Sequence, residues 1–264
     1  MLDPMEKGRE RLERIQKGEG LDPGFWGRVA YFRDDSIDPY QEDVELYDLI
    51  RYGSRGGMNV FERQASNYEE ALEGLGASPG DTVMELGGGT SRFSERLSRQ
   101  GYETVSVDVS REAQELASEL DRSDQQVLGD GTELPFEDDA VEYIVAPRVY
   151  HLVDDEEMLE EMDRVASEGL VFDYFRDGSL KDYQVEFMDA MDSNVHRDEE
   201  ILEKLKGING SEASLETDFG LPYAFEIPWN SEVMAEAAEK AQEFASTEIS
   251  PFEDTVGYVA AETG

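Results

Sequence analysis

The chain contains no cysteine. Disulfide frameworks, thiolate metal sites and a cysteine nucleophile are therefore excluded from it, and the absence fits a cytoplasmic protein. Lysine is nearly missing as well: of 264 residues only six are lysine, at positions 7, 17, 181, 204, 206 and 240. No apolar run approaches the roughly 20 residues that a membrane span needs. The N-terminal stretch MLDPMEKGRERLERIQKGEG is polar throughout, so neither a membrane segment nor a signal peptide is expected. Histidine occurs twice, at His151 and His196, and no cluster of ligand-type residues recurs at metal spacing. No metal is expected.

Acid is what the chain has in excess. Sixty-three aspartates and glutamates face 23 bases, for a net charge of −40, and they are dispersed rather than gathered in a tail. Dispersed acid with scarce lysine predicts a surface adapted to high salt. At molar ionic strength the Debye length falls to about 3 Å and self-repulsion is screened. The same balance argues against nucleic acid as substrate, because phosphate recognition needs basic clusters.

The densest chemical signal is Val83-Met84-Glu85-Leu86-Gly87-Gly88-Gly89-Thr90-Ser91-Arg92-Phe93. An apolar run carrying one acid stops at three glycines, and an amphipathic segment follows. This predicts strand, tight turn and helix, with glycine letting the backbone approach a ligand. A second strand, Glu103-Thr104-Val105-Ser106-Val107-Asp108, ends in an acid 23 positions after Glu85. An acid there is placed to accept from both hydroxyls of a ribose. Dinucleotide spacing would require glycine at position 92, where the residue is Arg92, so a nicotinamide site is disfavoured. A third motif, Gly129-Asp130-Gly131-Thr132-Glu133-Leu134-Pro135-Phe136, precedes the strand Val141–Ala146.

With these three motifs in order, the segment of roughly residues 82–174 resembles the class I S-adenosylmethionine-dependent methyltransferases. The resemblance implies a Rossmann-like α/β fold: a seven-stranded, mostly parallel sheet with an antiparallel last strand, helices on both faces and helical cap insertions. It also implies S-adenosylmethionine as cofactor. Gly87, Gly88 and Gly89 would then approach its methionine end, with Glu85 on the amino group. Asp108 would hold the ribose and Val109 follows it. Asp130, with Gly131 and Thr132, would meet the adenine. Pro147 and its neighbours after the fourth strand would line the cofactor near the methyl group. The short run Tyr47-Asp48-Leu49-Ile50, followed by Ser54-Arg55-Gly56, loosely resembles quinone-biosynthesis members.

In that post-strand segment Arg148, Tyr150 and His151 are the candidate catalytic residues. His151 titrates near neutrality and could act as a base, or could simply pack. His196 is a weaker candidate of the same kind. Tyr31 and Tyr47 could form an aromatic lid over a sulfonium or belong to a cap core.

Alternation of strand and helix predicts strands near 82–86, 104–107, 126–128, 141–146, 169–174, 214–219 and 255–260. Helices are expected over 91–100, 111–120 and around Met158–Val165, the last with Asp154 and Glu157 as an acidic cap signature. Ala166-Ser167-Glu168-Gly169 is expected as a shortened helix-to-strand turn, and Ser91 as the start of a helix. Residues 1–80 are expected to form an N-terminal helical cap. Residues 81–264 would form the cofactor domain, with insertions at about 175–200 and 220–250. The function expected is methyl transfer to a small-molecule, partly apolar acceptor. The alternative is a catalytically silent cofactor-binding or interaction module.

Overall fold

The computed structural model describes residues 44, 48, 52, 55–153, 155–176, 195–208, 213–218 and 256–263. The insertion expected at about 220–250, most of the one at about 175–200, the cap role of Asp154, and the candidate lid residues Tyr31 and Tyr47 lie outside the described residues. Residues Ala65–Asp218 and Asp254–Gly264 form one compact unit, which contains the site.

In chain order the described elements are α1 (Arg55–Gly74), β1 (Thr82–Leu86), α2 (Arg92–Gln100), β2 (Glu103–Asp108), α3 (Arg111–Glu119), β3 (Gln125–Leu128) and β4 (Val141–Ala146). A short 3-10 turn (Tyr150–Leu152) follows, then α4 (Asp155–Val165), β5 (Ala166–Arg176), β6 (Val195–His196), α5 (Asp198–Ile208), β7 (Ala213–Asp218) and β8 (Val256–Glu262).

The strands form one sheet in the order β3-β2-β1-β4-β5-β8-β7, with the two-residue β6 pairing β5 off that path. β1 runs parallel to both β2 and β4, and β4 runs parallel to β5. β8 is antiparallel to β5 and to β7. The sheet is thus mostly parallel with an antiparallel last strand, and β6 is an addition that the alternating pattern did not signal.

The parallel strands read as near-continuous apolar runs because helices cover them. Met84, Leu86, Val105, Val107, Ile144 and Phe172 share one core with Met158, Leu159, Met162 and Val165 of α4. α2 buries Phe93 and Leu97, and Phe93 meets Tyr68 of α1 edge-on at a centroid distance of 5.5 Å.

From β1 the chain steps outward through β2 to β3, then returns to β4 on the other side. Strand order reverses between β1 and β4, and ligands of such sheets bind beyond the carboxyl ends of the strands at that point.

One boundary differs from expectation. Ala166–Gly169 is not a turn: β5 begins at Ala166, immediately after α4 ends at Val165. Gly169 lies inside the strand because Leu75 leans onto it. A Cβ there would come within 2.9 Å of the Leu75 side chain and 3.0 Å of the Ala261 carbonyl oxygen. A glycine in a strand marks such a close approach as readily as a turn.

Candidate functional site

The glycine turn joins β1 to α2 at the switch point. Gly87 and Gly89 take φ of 67° and 52°, the left-handed region that favours glycine. At Gly87 a Cβ would also lie 2.6 Å from Val149 Cβ, in the segment after β4. Gly88 has a different reason. A Cβ there would sit 2.2 Å from the Ser106 Oγ of β2, which is itself fixed. Ser106 Oγ accepts from Ser91 Oγ at 2.7 Å and from Gln114 Nε2 at 3.2 Å.

Ser91 therefore does not cap α2 with its side chain. It sits at φ 55° and its hydroxyl turns to Ser106 instead. Glu85 serves the helix end. Its Oε2 accepts from Ser94 N–H at 2.8 Å and from Ser94 Oγ at 2.6 Å, with the Phe93 N–H beside them. Anions are favoured at a helix N-terminus, where backbone N–H groups lack partners. Burial nevertheless pushes the Glu85 carboxyl up to about 7. The Ser94 donors offset part of that rise, and the Asp108 charge adds to it.

Asp108 ends β2 and is buried. Its Oδ2 accepts the Gly89 N–H and its Oδ1 the Ser110 N–H, both at 2.8 Å. Ser110 in turn caps α3 by accepting from Ala113 N–H. The carboxylate thus ties the glycine turn to the start of α3. Each carboxylate oxygen takes one main-chain N–H from a turn at the strand ends.

Three residues that sequence reasoning passed over brace this turn. Gln114 Nε2 donates to the Gly89 carbonyl at 3.1 Å, and Arg122 Nη1 donates to the Thr90 carbonyl at 2.9 Å. Ser106 is the third. The available signals were a serine inside the apolar run Val105–Val107 and a glutamine on the apolar stripe of α3.

Beyond β3, Asp130 Oδ1 accepts from Thr132 N–H at 3.0 Å and from Thr132 Oγ1 at 2.9 Å. Gly131 packs against Leu86. The following segment is pinned to α4. Arg164 donates to the carbonyls of Leu134 and Phe136, while Glu161 accepts the Leu134 N–H. Val109 stands 61% exposed beside Asp108, an apolar surface at the mouth of the sheet.

After β4 the chain turns sharply. The Tyr68 hydroxyl donates to the Ala146 carbonyl at 3.1 Å, Pro147 follows, and Arg148 has φ 61°. Asp173 of β5 accepts the Arg148 N–H at 2.8 Å, and its other oxygen lies 3.4 Å from Arg148 Nε. The Arg148 guanidinium lies 5.1 Å from the Phe175 ring centre.

Tyr150 and His151 are fully buried. Tyr150 packs on Phe172 at 4.6 Å and on His196 at 5.2 Å, and His151 meets Phe175 at 4.7 Å. The structure therefore sets Tyr150 and His196 with Phe172, and Arg148 and His151 with Phe175, as two groups along β5. Sequence reasoning did not anticipate Asp173 and Phe175, which hold the second group. Among the described residues, no group of three or more acids or histidines is arranged to hold a metal ion.

Residues 84–172 match the family described as a methyltransferase domain. An uncharacterized methyltransferase of Mycobacterium tuberculosis is 28% identical over 121 residues, covering 46% of this chain and 49% of the relative. A demethylmenaquinone methyltransferase of Mycobacterium marinum is 32% identical over 124 residues, covering 47% and 51%. The chain spans about half the length of the curated relatives it matches.

Among solved structures, geranyl diphosphate C-methyltransferase of Streptomyces coelicolor, in complex with S-adenosyl-L-homocysteine, superposes with a TM-score of 0.57. Its identity is 18%, with 89% of each chain covered. Magnesium protoporphyrin IX methyltransferase of Synechocystis, also with S-adenosylhomocysteine bound, gives 0.54 at 12% identity, covering 91% of this chain and 93% of the other. At these identities the likeness is one of fold.

Proposed function

We propose that this chain, whose residues 84–172 belong to the methyltransferase domain family, transfers the methyl group of S-adenosylmethionine to a small-molecule, partly apolar acceptor. The observation that carries the reading is the left-handed Gly87–Gly89 turn, bonded through the Gly89 N–H to Asp108 where β1 and β2 end. The local chemistry fits the cofactor: the turn has room only for glycine, and a buried acid stands beside it at the end of β2. The exposed apolar Val109 and the Asp130–Thr132 loop are suited to a flat, amino-bearing ring.

When bound, the cofactor supplies an already activated methyl group, so positioning provides most of the rate. Gly87–Gly89 give close backbone approach, Glu85 holds a cationic amino group and Asp108 two hydroxyls. Pro147 and Val149 line the side toward the acceptor. A base is required only where the acceptor must lose a proton, and His151 is the candidate. Its burial against Phe175 favours packing, in which case His151→Ala changes turnover little. The names of two proteins that this chain resembles, for demethylmenaquinone and for geranyl diphosphate, support a small-molecule acceptor.

Calorimetry in molar potassium chloride tests the cofactor assignment. Binding of S-adenosylmethionine and its demethylated product is expected, with none for nicotinamide dinucleotides, and tighter dinucleotide binding would overturn the reading. Labelled cofactor incubated with a cell extract then identifies the acceptor. Binding without any labelled product would favour the silent module instead.

The dispersed charge of −40 supports a salt-adapted protein. Its melting temperature is expected to rise steadily from low to molar potassium chloride as self-repulsion is screened. A flat or falling curve refutes the salt adaptation.

A further inference from the structure

Asp173 lies in the middle of the apolar run Leu170–Phe175 and is 1% exposed. A carboxylate in such a place is costly unless it is paired and hydrogen-bonded. Its shorter contact is to a main-chain group: Oδ1 takes the Arg148 N–H at 2.8 Å, whereas the guanidinium Nε stands 3.4 Å from Oδ2. By distance, the main-chain bond is the better hydrogen bond of the two.

The residue so held is in an uncommon conformation. Arg148 has φ 61°, and a non-glycine residue persists there only where its surroundings over-determine it. The surroundings are on both sides of the turn. Tyr68, whose phenol is influenced by the neighbouring Asp173, bonds the Ala146 carbonyl, and Asp173 bonds the Arg148 N–H. The next residue, Val149, lies against Gly87 so closely that a single added carbon at Gly87 would collide with it.

We propose that Asp173 is a positioning residue: by fixing the Arg148 main chain it seats the 146–149 turn against the glycine turn, and so sets the affinity of the cofactor pocket. The proposal rests on the reading of that pocket as an S-adenosylmethionine site. Asp173 acts through the turn and touches no reacting atom. A purely stabilising ion pair with the Arg148 guanidinium would give a different pattern of variant behaviour.

Asp173→Asn keeps an oxygen for the Arg148 N–H and loses the charge. Asp173→Leu loses both. Each deprives the buried guanidinium of its carboxylate, so both should melt earlier than wild type. Affinity for S-adenosylhomocysteine, measured by calorimetry in molar potassium chloride, should separate them. The asparagine variant should stay within about threefold of wild type, and the leucine variant should fall on the order of tenfold or more.

Equal losses in the two variants, or losses that follow melting temperature, would overturn the proposal. Val149→Ala provides a test that survives misfolding of the leucine variant. It leaves the Asp173 bond in place and removes the wall at Gly87, so affinity should fall on the order of tenfold, the burial of two methyl groups. Unchanged affinity would count against the proposal. Wild-type protein that binds no S-adenosylhomocysteine would instead refute the site reading on which it rests.

Discussion

Asp108→Ala is expected to weaken S-adenosylmethionine binding on the order of tenfold to several hundredfold, because each lost hydrogen bond to a charged group costs about 1.5–3 kcal/mol. Two effects add. The carboxylate that would accept two ribose hydroxyls disappears. The Gly89 N–H and the Ser110 N–H, both now 2.8 Å from that carboxylate, lose their acceptor as well, so the glycine turn is less firmly held before any ligand arrives. Gln114 still grips the Gly89 carbonyl, which should keep the variant folded. His151→Ala is the comparison, since its ring packs on Phe175 and should leave cofactor affinity untouched. Calorimetric titration of both variants in molar potassium chloride decides the matter. An Asp108→Ala protein that binds like wild type would remove the ribose assignment.

Glu85→Gln is expected to move stability and binding in opposite directions. Burial raises the folded-state value of Glu85 from 4.5 to about 7. The stability it contributes is therefore fully present below about 4.5 and is lost as pH rises through about 7. That interval corresponds to on the order of 3 kcal/mol. The amide can still accept both Ser94 donors through one oxygen, as Glu85 does now, but carries no charge to desolvate. Weaker bonds to a neutral acceptor return part of the gain, so at pH 8 the variant should be more stable by about 1–2 kcal/mol. It should also lack the wild-type decline between pH 4.5 and 7. Cofactor affinity should fall, because a neutral amide does not pair with a cationic amino group. Denaturant midpoints across that range, with calorimetry at pH 8, check both halves. Parallel pH–stability curves for the two proteins would discard the account of Glu85.

These two residues also illustrate what could be read from the chain before folding. Glu85 and Asp108 stand at the ends of apolar runs that stop at turn residues, and strand geometry fixes where such ends meet. Their places at the strand ends were therefore legible. Ser91 was read as a helix cap because local preference points that way. Its hydroxyl goes instead to Ser106, 15 residues on and one strand over, a partner that local preference cannot reveal. Ala166–Gly169 was read as a turn for the same reason, when Leu75, remote in sequence, is what requires the glycine. Asp173 was invisible as a functional residue because an acid in an apolar strand announces only its cost. What it accepts from is decided by a turn 25 residues earlier, in an unusual conformation that no residue preference indicates. The aromatic contacts follow the same rule. Tyr150, His151 and Phe175 were each noticeable or ordinary alone, and the pairing of β4 with β5 is what sets Tyr150 on Phe172 and His151 on Phe175.

The place of β8 has a consequence for the order in which this protein can be assembled. β8 lies inside the sheet, between β5 and β7, although it follows both of them in the chain. During synthesis β1 to β5 can pair as each emerges, since their contacts are sequential or nearly so. Among the described strands β7 pairs with β8 alone, so it waits until residues 256–262 have left the ribosome, and until then the β5 edge that β8 covers is open as well. Unpaired strand edges recruit other chains. The nascent protein thus passes through a stage in which both edges stand open, and β8 closes them together from between.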